Sequence, residues 1–162
     1  MDRLQHSAWQ YVAEVLPPPE LPMLAAYALA DGRDSPALRE LAGLTRRCDE
    51  AEIRELYALA LEESGVALPD EETAGRLALV SLAIGLSDGA LSPMDVMHRM
   101  GQALAAHTPQ ETRFLSAAAE YDGWFGPDRL TTWEKALRSA ARALADSTDL
   151  APASTIGSRP SD

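Results

Sequence analysis

Three times the chain writes a hydroxyl residue followed at once by proline: Ser35-Pro36, Ser92-Pro93 and Thr108-Pro109. The hydroxyl oxygen accepts one of the amide protons that a helix start leaves without an intrahelical partner. Proline behind it has no amide proton to leave unpaired, and its φ is already near helical. Two of the three continue to an acid at the third helical position, Asp95 and Glu111, which predicts reciprocal capping boxes. Asp49 with Glu52 three residues on predicts another box, and Asp70 a further helix start.

The apolar spacing agrees with these starts. Leu4, Ala8, Tyr11, Val12 and Val15 recur at helical intervals over residues 2–16, and Pro17, Pro18 and Pro19 predict the stop. Leu21, Leu24, Ala25, Ala28 and Leu29 predict a second helix closed by Gly32. A third runs from Pro36 to Gly43, and a fourth from Asp49 to Gly65. After Asp70, the stretch Leu77–Leu86 is apolar nearly all round, which predicts a central, wholly buried core helix. Val96, Met97, Met100 and Leu104 mark a sixth helix, and Phe114, Leu115, Ala118 and Tyr121 a seventh. Leu130, Trp133, Leu137, Ala140, Ala141 and Leu144 mark a last one over about 129–146. No segment alternates with period two, and aromatics make up only 6% while Ala and Leu dominate the apolar set. The fold class expected is all-α, a compact orthogonal bundle of about seven to eight helices. Residues 1–146 would form a single helical domain, and the aperiodic Ser/Thr/Pro/Ala-rich 147–162 a disordered C-terminal tail.

One corner is written twice. Asp31-Gly32-x-x-Ser35-Pro36 recurs as Asp88-Gly89-x-x-Ser92-Pro93, 57 residues on. Each predicts a helix closing on a left-handed glycine, then a serine cap and a proline in first position. Two copies are too few for a solenoid, which needs about three.

Charge narrows the function classes. The net charge is −11, and residues 49–90 hold ten acids against two bases, Arg54 and Arg76. Such a field repels nucleic acid and anionic lipid and attracts a basic protein partner. No apolar run approaches the roughly 18 residues of a membrane span. Neither nucleic acid nor membrane is therefore expected as a partner. On the fourth helix, Glu52, Glu55, Glu62 and Glu63 fall within an arc of about 100° at 3.6 residues per turn. Leu59 lies inside that arc. An apolar side chain ringed by carboxylates has the form of a docking patch, a dry anchor within a charged rim. These five are the candidate partner-binding residues.

Catalytic constellations are missing from the sequence. Asp95…His98 is the one carboxylate–histidine pair at i, i+3, and a helical metal site needs two such pairs with further carboxylates. Asp95 is better read as the capping acid of Ser92. No GxSxG, GxxxxGK[ST] or GxGxxG motif occurs. Neither catalytic residues, a metal nor a cofactor is expected. The single Cys48, preceded by Arg46 and Arg47, admits no internal disulfide, and the first twenty residues carry Asp2, Arg3, His6 and Glu14 rather than a secretory apolar run. Both point to the cytoplasm. Two further surfaces remain as candidates. Thr131, Lys135, Arg138 and Arg142 form a stripe suited to phosphate, and Trp124 and Phe125 sit between two glycines in the loop YDGWFGP, where they could meet a ligand or partner.

The run Leu21–Leu44, LPMLAAYALADGRDSPALRELAGL, resembles a segment in small uncharacterised all-helical proteins of high-GC actinobacteria, and Ala83–Arg99, with its DGxLSP corner, resembles a matching feature of the same proteins. Proteins of this look occur near polymorphic-toxin genes, so the resemblance implies an immunity-type role and transfers no catalytic residue. The function expected is a non-enzymatic interaction module with an acidic helical face, in its sharpest form an inhibitor of a basic toxin. The alternative is a helical small-molecule-binding or enzymatic domain with a pocket near Trp124 and Phe125.

Overall fold

Each cap appears where a hydroxyl or acid meets the start of an apolar period. The computed structural model describes residues 2–45, 47–100 and 105–149, and among these every regular element is helical. In chain order they are α1 (Arg3–Val12), a 3₁₀ turn (Pro18–Glu20), α2 (Leu21–Ala30), α3 (Pro36–Gly43), α4 (Glu50–Glu63), α5 (Glu71–Ser87), α6 (Pro93–Arg99), α7 (Pro109–Ala119) and α8 (Pro127–Asp149). The fold is all-α.

The Ser92 hydroxyl accepts from the Asp95 amide at 3.1 Å, and the Asp95 carboxylate accepts from the Ser92 amide at 2.8 Å. Thr108 and Glu111 form the same box, with the fully buried Glu111 carboxylate also accepting from the His107 amide at 2.7 Å. Asp2 and Gln5 form a third box that opens α1. Asp49, by contrast, caps α4 through the Ala51 amide at 3.1 Å without a box. The predicted return bond from Glu52 is not made.

α1 stops four residues short of the position its proline run predicts. The Val15 amide bonds to the Gln10 carbonyl at 2.8 Å and the Glu14 amide to the Tyr11 carbonyl at 3.1 Å. Glu14 itself takes φ +57°. This is the paired closure usually written with glycine. Pro17 disfavours helical backbone at Leu16, so the chain turns out before reaching it.

By their contacts the described residues group into two units, each with its own core. In the first, up to Leu79, α2 lies against α3 and α3 against α4. Leu4, Leu21, Leu38, Leu41, Ile53 and Tyr57 are buried together in its main cluster, and Trp9 is buried beside Ala74 and Ala78. The Tyr57 ring meets Tyr11 at 5.0 Å. The Ser7 hydroxyl donates to the Leu4 carbonyl at 2.8 Å, so the Tyr57 hydroxyl, 2.8 Å away, is the donor to Ser7. Burial pushes the Tyr57 phenol up to about 12.

The second unit takes Val80–Ser87 of α5 with α6, α7 and α8. α7 lies along α8, and Phe114, Leu137, Leu86 and Val96 are fully buried. The Trp133 ring nitrogen donates to the Ala117 carbonyl at 2.8 Å, which satisfies its one polar atom. The expectation of a wholly buried α5 is corrected here. Leu79, Leu82, Ala83 and Leu86 are buried, but Ser81 is exposed and Ile84 is 45% exposed. A helix rich in small apolar residues buries one face and can leave single aliphatic side chains in water.

α8 continues to Asp149, past the expected end at 146, and the Ser147 and Thr148 hydroxyls bond back to the Leu144 carbonyl at 2.8 and 3.1 Å. The rest of the tail expected to be disordered, 150–162, lies outside the described residues, as does Leu104. No helix among the described residues is long and apolar enough to cross a membrane.

Candidate functional site

α4 is amphipathic because Ile53, Tyr57, Ala60 and Leu61 recur on one side, and all four are buried. At about 100° per residue the opposite side carries Glu52, Glu55, Leu59 and Glu62. All four are exposed, Leu59 by 45%. The stripe they form is about 15 Å long at 1.5 Å rise per residue. Glu52, Glu55 and Glu62 make no ion pair or hydrogen bond among the described residues. Arg54, the one base in the helix, is turned to Glu50 at 3.0 Å. Glu63 differs from its neighbours. Its carboxylate accepts from the Ala37 amide at 2.9 Å and so belongs to the first turn of α3.

Several other acids of this unit are engaged. Arg3 pairs with Asp31 at 2.7 Å and stands 5.1 Å over the Tyr27 ring, while Arg33 pairs with Asp2. Arg39 binds both oxygens of Asp34 and holds that carboxyl below the usual carboxylate range. Asp70 accepts from the Thr73 amide at 2.7 Å, which lowers its own carboxyl in the same direction. The uncompensated negative charge of this unit therefore includes the outer stripe of α4.

The loop 121–127 parts its two bulky residues. Phe125 turns inward, with its ring 5.4 Å from Tyr121 and 6.1 Å from Trp133, under the Arg129 guanidinium at 4.4 Å. Trp124 turns outward and is 90% exposed. The turn before them has Gly123 at φ +81° and the Trp124 amide bonded to the Asp122 carboxylate at 2.9 Å.

Hollows among the described residues include two that do not take in Trp124 or Phe125. One, of about 490 Å³, lies among Gln5, Ala8, Trp9, Val66, Pro69 and Leu77. Its walls come from three separate chain segments, so no spacing in the sequence announces it. The other, of about 360 Å³, is lined by Lys135, Arg138, Ser139 and Arg142, three members of the predicted phosphate stripe having Ser139 among them. Thr131 instead bonds its hydroxyl to the Pro127 carbonyl at 3.0 Å.

The remaining sequence candidates have local roles. Asp95 belongs to the Ser92 cap, and His98 meets the Met94 carbonyl through Nδ1 at 2.7 Å. Cys48 is half-buried, 3.5 Å from the Thr45 hydroxyl. No protein-family model, no curated protein and no solved structure matches the chain.

Proposed function

We propose that the chain is a non-enzymatic interaction module and that the outer face of α4 docks a basic protein partner. The observation that carries this reading is the stripe Glu52–Glu55–Leu59–Glu62. Three carboxylates without partners among the described residues surround an exposed leucine on one rigid helix. The carboxylates steer a cationic surface toward the helix over about one Debye length. Leu59 then supplies the apolar contact that slows dissociation. An immunity-type inhibitor of a basic toxin is the sharpest form of the proposal, and it rests on the resemblance carried by 21–44 and 83–99.

The test is capture from lysate of the source cells at low salt, followed by binding kinetics on the basic protein recovered. Leu59→Asp is expected to speed dissociation, and the pair Glu52→Lys with Glu55→Lys to slow association about tenfold with a weaker salt dependence. Glu71→Lys, an exposed acid on another helix, is the control for net charge alone. Equal losses from Glu71→Lys and from the α4 pair would refute a specific face, and so would recovery of no basic protein.

A further inference from the structure

The cations of this chain are unevenly spent. Arg3, Arg33, Arg39 and Arg54 each hold a carboxylate, and Arg129 covers the Phe125 ring. Lys135, Arg138 and Arg142, at i, i+3 and i+7 along α8, pair with no carboxylate among the described residues, and together they line one hollow of about 360 Å³. Carboxylates at the favourable helical spacing are present in the sequence. Glu134 stands four residues before Arg138 and Asp146 four after Arg142, yet neither pair forms.

Two details show how the hollow is held. Arg138 is half-buried and donates through Nη1 to the Leu86 carbonyl at 3.3 Å, which fixes its guanidinium and leaves its other N–H donors unused. Ser139 keeps its hydroxyl without a partner among the described residues, whereas Thr131, Thr132, Ser147 and Thr148 on the same helix bond theirs back to main-chain carbonyls. Three positive charges, one of them anchored through Arg138, and an unengaged hydroxyl line one hollow, and no ion pair with an acid neutralises them among the described residues.

We propose that this hollow is an anion site for the phosphate group of a small molecule. Guanidinium forks match the paired oxygens of phosphate, and the lysine and the serine hydroxyl supply single donors to the remaining oxygens. A phosphate dianion gains from all three cations, where a monocarboxylate offers only two oxygens and one charge. The hollow is open to solvent on α8, so the organic part of a phosphomonoester can extend away from the cations. A nucleic acid chain would carry further phosphates over an acidic surface and is disfavoured by the net −11.

The test is titration of the full chain at constant ionic strength with inorganic phosphate, with a nucleoside monophosphate and with acetate, followed by calorimetry and by the amide signals of α8. Saturable binding of inorganic phosphate or the monophosphate, with none for acetate, is expected. Tighter binding of the monophosphate assigns the site to phosphomonoesters, and equal affinity assigns it to the phosphate group alone. Arg142→Gln and Lys135→Gln, both at exposed positions, should each weaken binding about tenfold with unchanged helical circular dichroism. Saturation that survives both substitutions, equal binding of acetate, or no saturation by either phosphate would overturn the proposal.

Discussion

Glu63, the last residue of α4, accepts a hydrogen bond from the Ala37 amide in the first turn of α3 at 2.9 Å. The two glycine–serine–proline corners share a left-handed glycine, Gly32 at φ +89° and Gly89 at φ +83°, and both serines cap the following helix. They differ at the third helical position. The second corner has Asp95 there, while the first has Leu38, buried in the core. At the first corner a carboxylate comes instead from α4, 26 residues away, and takes a different amide, that of Ala37 at the second helical position. Glu63→Ala should therefore cost about 1 kcal/mol of stability in urea denaturation, in the range of a lost cap. Glu62→Ala, one residue earlier and without a partner among the described residues, should change stability by less than about 0.5 kcal/mol.

The alkaline limb of the stability curve should report on Tyr57. Its phenol is raised in the folded chain to about 12 from an ordinary 10.0, so its stabilising share is complete below pH 10 and is lost as pH climbs from 10 through about 12. Between those values the unfolded chain ionises the phenol first. The share is on the order of 2 kcal/mol. Urea midpoints measured from pH 9 to 12 should fall less steeply in Tyr57→Phe than in the parent chain. At neutral pH the same variant should be weaker by about 1 kcal/mol through the hydrogen bond lost to Ser7.

Gly89 and Gly43 form a matched pair for backbone conformation. A methyl group at either would meet nothing within 4 Å, but Gly89 has a left-handed φ while Gly43 ends α3. Gly89→Ala is expected to destabilise by about 1 kcal/mol, and Gly43→Ala to be neutral or to stabilise by up to about 1 kcal/mol. Thermal denaturation of the two variants side by side checks the sign.

α5 offers a contrast in burial on one helix. Leu79 is fully buried and Ile84 is 45% exposed. Leu79→Ala should cost about 2–5 kcal/mol, whereas Ile84→Ala should stay within about 1 kcal/mol. Equal losses in chemical denaturation would contradict the two-sided α5 described above.

What the sequence discloses follows from the range of each interaction. The Ser92–Asp95 and Thr108–Glu111 boxes are legible because both partners lie three residues apart, and the inward faces of α4 and α8 because helical period alone groups Ile53 with Tyr57 and Trp133 with Leu137. Glu63 reads as one more exposed acid until Ala37 is brought beside it in space. The early end of α1 is hidden because Glu14 adopts a conformation that residue type argues against. Trp124 and Phe125 are adjacent and chemically alike, and nothing in their residue types tells which turns inward. The candidate face on α4 is half legible. Its arc follows from spacing, but the division between three unengaged carboxylates and one engaged carboxylate needs the third dimension.

The outward turn of Trp124 gives the chain a built-in optical probe. Trp9 and Trp133 are 4% and 3% exposed, against 90% for Trp124. Emission at the red edge, and its quenching by iodide, will come mainly from one indole on the rim of the second unit, while the blue component follows the two interiors, Trp9 in the first unit and Trp133 in the second. Selective excitation can therefore separate events at the surface from loss of the cores without attaching any label.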